Sequence, residues 1–373
     1  MTPLTRNALP GILRLEPYKP GMPLDELQRR LGIVDAIKLA SNENPLGPSP
    51  RVREAVARFV ADTDLALYPD GGGFRLKARL AEMHGIEPER ITLGNGSNDL
   101  LEFLGRIYLG PGRSAMFSRH AFAVYPIVTQ AQNAESVVVP ALPPEHPMAY
   151  GHDLAGFRRH WREDISLVFI ANPNNPTGTW LPAAEIEAFL DFVPPHVLVI
   201  LDEAYWEYLD PADRGPVRAW LERYPNLVVT HTFSKTYGLA SLRAGYGLSS
   251  VAVADLMNRV RQPFNNNSLA LVAAEAALAD QDHVRASVAL NTRERTRMVA
   301  ALTQLGLRCL PSQANFLAVD FGRVAAPIHQ KLLERGIIVR PMASYEMPNF
   351  LRITIGTPAQ NDRLLAVLPE CLA

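Results

Sequence analysis

The chain has very little lysine, five residues against thirty-two arginines in a total of 373. Cysteine is scarcer still. Cys309 and Cys371 are too few for a disulfide framework and read as reduced thiols. Charge of one sign is missing as well: the formal net charge is −1, which gives no electrostatic basis for binding nucleic acid or a membrane surface. No stretch approaches the roughly 18 uncharged apolar residues that a spanning helix needs. Residues 1–21 contain four prolines and no apolar core segment, so no secretory leader is expected. The expectation is a soluble, cytoplasmic protein.

What is present is ordinary globular composition, 47% hydrophobic and 20% charged, at a length that favours about two domains. A GC-rich coding bias accounts for few lysines and for thirty-one prolines. It does not account for where the remaining lysines stand.

Residues 1–40 read as a Pro-rich arm followed by a helix with apolar spacing over Leu24–Leu31. Prolines and a glycine make 41–50 a loop, helix follows over 51–60, and irregular chain at 68–73 precedes a helix over 74–84. Short apolar strands are expected at 91–93, 114–117, 136–139, 167–170, 197–201, 227–230 and 244–248. Amphipathic helices fit 98–109, 183–192 and 217–224. This alternation predicts an α/β fold with a mostly parallel sheet covered on both faces, and ligands in such sheets bind beyond the carboxyl ends of the strands. One long helix over 269–305 leads to a smaller α+β part with strands at 316–319, 337–340 and 351–355. The expected division is an arm and helix at 1–40 belonging to the small domain, a large domain at 41–265 and the small domain proper at 266–373.

The unusual residues gather where those strands end. Lys235, in Thr232-Phe233-Ser234-Lys235, follows Leu227-Val228-Val229. An amine at the end of a buried strand loses solvation, which favours its neutral form and makes it a candidate Schiff-base former. Asp202 ends Val197-Leu198-Val199-Ile200-Leu201, and a carboxylate there is costly unless a cation meets it. A pyridinium nitrogen would do so through a charge-assisted hydrogen bond of roughly 1.5–3 kcal/mol. A metal-binding aspartate of the phosphoryl-transfer kind is the competing reading; the lack of a phosphate loop counts against it, and no metal is expected. Asn175 projects from the rigid turn Asn172-Pro173-Asn174-Asn175-Pro176-Thr177-Gly178, where its amide could donate to a phenolate oxygen. Gly94-Asn95-Gly96-Ser97-Asn98 opens a helix after a strand, a place that favours phosphate, although by itself it is an ordinary corner. Together with Arg243 near small residues, these features suit pyridoxal 5′-phosphate.

In this order the motifs Asn-Pro-Thr-Gly (175–178), Asp-x-Ala-Tyr (202–205) and Ser-Lys-x-x-Gly-x-x-x-x-Arg-x-Gly (234–245) resemble the fold-type I pyridoxal-phosphate aminotransferases over essentially the whole chain. Within that family, the stretches at 41–50 and 68–71 look like histidinol-phosphate aminotransferases. The resemblance implies that Lys235 holds the cofactor and then moves the proton, with Asp202 on the pyridine nitrogen and Asn175 and Tyr205 on the phenolate oxygen. It places Ser97, Asn98, Ser234 and Arg243 on the phosphate and Phe122 against the ring. Tyr68 would reach the phosphate of a neighbouring subunit, which makes the functional unit a homodimer.

At the substrate end the resemblance assigns Arg352 and Arg340 to anions, with Tyr18 from the arm and Asn44 also among the substrate-binding residues. The substrates would be histidinol phosphate and 2-oxoglutarate or glutamate. From the residues alone, strict alternation in Leu351-Arg352-Ile353-Thr354-Ile355 puts Arg352 and Thr354 on the face opposite the apolar one, which for a lone arginine reads as a solvated strand face. Glu346 stands where many relatives carry glycine, an acid beside an expected anion site. The rivals are an aromatic aminotransferase or threonine-phosphate decarboxylase of the same fold. A non-catalytic ligand sensor or a nucleotide-binding Rossmann protein would come from a different class.

Overall fold

The computed structural model describes residues 4–18 and 21–373; the parts of the expected arm at 1–3 and 19–20 lie outside the described residues. Thirteen strands are described in chain order. They are β1 (Ile37–Lys38), β2 (Ile91–Gly94), β3 (Ser114–Ser118), β4 (Glu135–Val139), β5 (Ile165–Ala171), β6 (Leu198–Asp202) and β7 (Leu227–Thr232), followed by β8 (Gly245–Leu248), β9 (Arg308–Cys309), β10 (Phe316–Asp320), β11 (Ile337–Ile338), β12 (Arg340–Pro341) and β13 (Phe350–Thr354).

Seven strands form the main sheet in the order β2-β8-β7-β6-β5-β3-β4. β8 alone runs against the rest, pairing antiparallel with β2 and β7. The inner strands are buried on both faces because successive side chains enter opposite cores. Val168, Ile170, Val199, Leu201 and Val229 pack into one cluster, while Leu167, Phe169, Leu198, Ile200 and Val228 pack into the other. That is why these strands read as continuous apolar runs. The helices Ala183–Phe192, Phe74–His84 and Leu24–Leu31 begin and end where the sequence places them.

Two expectations need correction. The stretch at 269–305 is two helices, Ser268–Leu278 and Gln281–Gln304. Asp280 restarts the second one: its side chain accepts the His283 N–H, and Ser49 Oγ donates to its other oxygen at 2.5 Å. An aspartate cap satisfies backbone donors that a continuous helix would not leave open. The single strand expected at 337–340 is also split. β11 pairs parallel with β1, whereas β12 joins a four-stranded sheet in the order β12-β13-β10-β9. β1 and the Leu24–Leu31 helix bring the beginning of the chain against this end, with Leu27 buried beside Leu333 and Ile338.

Candidate active site

A cavity lies at the carboxyl ends of β5, β6 and β7. It is lined by Asp202, Tyr205, Lys235 and Asn175, and on another wall by Ser97, Asn98, Ser234 and Arg243, with Phe122 at its side. Parallel strands that end at one level bring these residues together although the chain separates them by up to 146 positions.

Lys235 is half-buried, and its Nζ donates to the Ser41 carbonyl at 3.3 Å. Burial pushes its amine down to about 8, and the positive charges of Arg352 and Arg243 act in the same direction. A neutral amine is therefore accessible near physiological pH, as a nucleophile toward a carbonyl requires. Asp202 is 5% exposed. Tyr125 Oη donates to its Oδ2 at 2.9 Å, and Thr230 Oγ1 donates to its Oδ1 at 3.3 Å. Burial still raises its carboxyl above the ordinary range, against those hydrogen bonds and the nearby Lys235. A buried acid held by neutral donors at a cavity wall is suited to a cationic partner.

The opposite wall is suited to an anion. Ser97 begins the helix Ser97–Tyr108, whose first N–H groups lack intrahelical acceptors. Gly96 has φ 82, and a Cβ there would lie 2.5 Å from Arg243 Nη2, so only glycine lets the guanidinium come this close to the helix start. Arg243 Nη1 donates to Ser234 Oγ at 3.2 Å, which fixes the two side chains together. Tyr205 is buried, accepts from Asn42 Nδ2 at 2.8 Å, and has its hydroxyl pushed up to about 12, chiefly by burial.

Arg352 is 6% exposed, so the solvated-face reading of its strand is overturned. Its Nη1 donates to Asn175 Oδ1 at 2.5 Å and its Nη2 to the Ala40 carbonyl at 2.9 Å, while its Nε is buried without a partner. Arg340 is the register partner of Arg352 across β12 and β13, and its guanidinium lies 5.7 Å from the centre of the Tyr18 ring. Glu346 points largely to solvent, with its carboxylate 3.7 Å from Arg119 Nε. Its φ of 59 is the left-handed conformation that glycine favours.

Five predicted residues do not line this cavity: Arg352, which bonds the lining residue Asn175, Arg340 and Tyr18 next to it, and Asn44 and Tyr68. Asn44 is buried elsewhere: its Nδ2 donates to the Thr236 carbonyl and Ser287 Oγ, and its Oδ1 accepts from Leu46 N. These bonds use both amide hydrogens and fix the loop at 41–50. Tyr68 is 80% exposed and stacks on Phe264 with ring centres 4.5 Å apart, outside its own chain's cavity. Three residues at the site were missed. Thr230 is the register partner of Asp202 on the adjacent strand, Tyr125 is the second residue of the helix Val124–Ala131, and Asn42 lies in the loop at 41–50.

An electrophile-seeking amine, a carboxylate awaiting a ring cation and an anion cradle, all at the carboxyl edge of this sheet, define a pyridoxal-phosphate transferase of fold type I. Residues 34–368 match the family described as aminotransferase class I and II, and the chain belongs to that family, whose members depend on pyridoxal 5′-phosphate. It is similar to histidinol-phosphate aminotransferase 2 of Pseudomonas fluorescens strain Pf-5, with 56% identity over 98% of this chain and 97% of the relative. The Pseudomonas aeruginosa protein of the same name is 53% identical over 98% of each. The crystal structure of histidinol-phosphate aminotransferase from Sinorhizobium meliloti, in complex with pyridoxal 5′-phosphate, superposes with a TM-score of 0.88 at 31% identity, covering 98% of this chain and 97% of that one. Among the described residues no helix is long and apolar enough to cross a membrane.

Proposed function

We propose that this chain moves an amino group between L-histidinol phosphate and 2-oxoglutarate, as a step in histidine synthesis. The observation that carries the substrate end is the direct opposition of Arg340 and Arg352 on adjacent antiparallel strands. Two guanidinium groups opposite each other in register place positive charge on one face of the sheet, and Arg352 has a buried Nε without a partner. A phosphate in one half-reaction and a carboxylate in the other would each suit that charge. The full-length relatives named for this substrate support the same reading.

Pyridoxal phosphate, when bound, supplies a carbonyl that accepts the amino group and a ring that withdraws electrons once protonated. Lys235 Nζ would hold it and carry the proton, since its depressed basicity lets it lose and regain a proton near neutrality. Asp202 would face the ring nitrogen, with Tyr125 and Thr230 fixing the carboxylate. Tyr205 and Asn175 would donate to the phenolate oxygen, Phe122 would cover the ring, and Ser97, Asn98, Ser234 and Arg243 would hold the phosphate. Arg352, tied to Asn175 Oδ1, would align the substrate anion with that oxygen's neighbourhood.

The functional unit in this reading is a homodimer. Leu65, Leu67, Tyr68 and Phe74 are exposed apolar side chains close together in sequence, a patch that a second copy would cover; Tyr68 would then enter the partner's site. The division into 1–40, 41–265 and 266–373 goes with this reading, supported by the packing of Leu27 against Leu333 and Ile338. The cytoplasm is the compartment proposed, in keeping with free Cys309 and Cys371. The test is a panel of amino donors with 2-oxoglutarate: histidinol phosphate, phenylalanine, tyrosine and aspartate. Histidinol phosphate should win with ping-pong kinetics. An aromatic donor ahead by about tenfold in kcat/KM, ~1.4 kcal/mol of transition-state binding, overturns the assignment, and release of carbon dioxide without consumption of keto acid would indicate a decarboxylase.

A further inference from the structure

The helix Val124–Ala131 ends in a left-handed residue, Asn133, with φ 56. The Asn133 N–H bonds the Gln130 carbonyl at 3.0 Å, and the Ala134 N–H bonds the Thr129 carbonyl at 3.2 Å. This is the paired closure that stops a helix at a residue able to adopt positive φ, usually glycine and sometimes asparagine. Asparagine also brings an acceptor. Asn133 Oδ1 takes the backbone N–H of Gly11 at 2.6 Å, and Gln130 Nε2 donates to the Gly11 carbonyl at 3.2 Å. A Cβ at residue 11 would lie 1.9 Å from the Gln130 carbonyl oxygen, so the arm's backbone sits flush on the helix end.

This contact is polar rather than hydrophobic. Gly11 is the one buried residue of the five-residue helix Pro10–Arg14, while Leu9, Ile12 and Leu13 are exposed. So short a helix does not hold itself in water. Farther along the chain a second anchor is formed by Leu27, buried with Leu333 and Ile338, with Met22 packed against them. Between the two anchors lies Tyr18, beside Arg340, at the end of residues 15–18, which form no regular element.

We propose that Asn133 is a positioning residue for substrate binding, clasping the arm at Gly11 so that Tyr18 is held over Arg340. The proposal rests on the reading of Tyr18 and Arg340 as the substrate end. Without the clasp Tyr18 is tethered from one side only, and its effective concentration at Arg340 falls. The same helix supplies Tyr125 to Asp202, so the clasp refers the arm to the element that fixes the wall on which the cofactor's ring nitrogen would lie.

The holoenzyme carrying Asn133→Gly tests this, because glycine keeps the helix closure and removes only the acceptor. KM for the amino donor should rise about threefold or more while kcat, the bound cofactor's visible absorption and Tm stay at parental values. Trypsin should cut after Arg14 faster in the native protein. Asn133→Asp, which restores an acceptor and tolerates positive φ, should return both readouts toward the parent. Gly11→Ala, which blocks docking from the arm side and leaves the helix end intact, should reproduce the KM rise and decides the matter if Asn133→Gly loses stability. Parental KM for both substrates in Asn133→Gly and Gly11→Ala overturns the proposal even if Arg14 is cut faster. An Asn133→Asp enzyme as impaired as Asn133→Gly overturns it as well. Should the donor panel favour another amine, KM is read with that amine and with 2-oxoglutarate, and cleavage at Arg14, which needs no substrate, still reports the clasp.

Discussion

Tyr125 donates its hydroxyl to Asp202 Oδ2 at 2.9 Å while its ring lies stacked on Phe169, 4.5 Å centre to centre. The stacking fixes the phenol and the phenol fixes the carboxylate, in a wall that is entirely buried. Tyr125→Phe keeps the ring and removes one donor to a charged acceptor, a loss of about 1.5–3 kcal/mol. Because that hydrogen bond holds the Asp202 carboxyl down against burial, the variant should bind cofactor yet turn over about tenfold or more slowly. Asp202→Asn should be worse by further factors of ten, since an amide is a much weaker partner for a protonated ring. Single-turnover kinetics on both variants measures this, and Tyr125→Phe at full parental rate would remove Tyr125 from the site's electrostatics.

Burial, with the charge of Arg352 beside it, pushes the Lys235 amine down to about 8. The nucleophile is the neutral amine, so the rate at which cofactor-free enzyme captures pyridoxal phosphate should climb about tenfold per pH unit below that value and level off above it. Stopped-flow absorbance of reconstitution reads the profile. A plateau beginning only near pH 10 would mean that the amine is not desolvated. Lys235→Ala should lose both the yellow band and transamination.

Arg352 uses a planar fork, with one arm on Asn175 and one on Ala40. In Arg352→Lys a point charge replaces it and cannot make two parallel hydrogen bonds. KM for histidinol phosphate and for glutamate should rise together, each by roughly tenfold or more, about 1.4 kcal/mol or above. A rise for one substrate alone would assign the other to Arg340.

Tyr68 lies outside its own cavity, exposed and stacked on Phe264. If it serves the neighbouring subunit, mixing Lys235→Ala with Tyr68→Ala should restore activity in heterodimers, because one of the two shared sites regains both residues. The mixture is assayed after subunit exchange has been demonstrated by mass. Exchange without recovery places Tyr68 outside catalysis.

Sequence by itself determined the main sheet and the level at which the site lies. Apolar runs such as Leu198–Asp202 and Leu227–Thr232 are buried on both faces, so their signal is local and strong; Asp202 ends its strand, and Asn175 and Lys235 each follow one within a few residues. Tertiary structure decided the rest. The alternation around Arg352 pointed to an outward face, yet β13 is buried throughout, because the loop at 40–42 covers it. Arg352 bonds Ala40 and Thr354 bonds Asn42, in each case across 312 residues of chain. The stretch at 337–340 divides between two sheets because its first half finds β1 and its second half finds β13. Periodicity reports which face of a segment is apolar. It cannot report what arrives from elsewhere in the chain to cover the other face, and at this substrate end that arrival decides burial, pairing and charge.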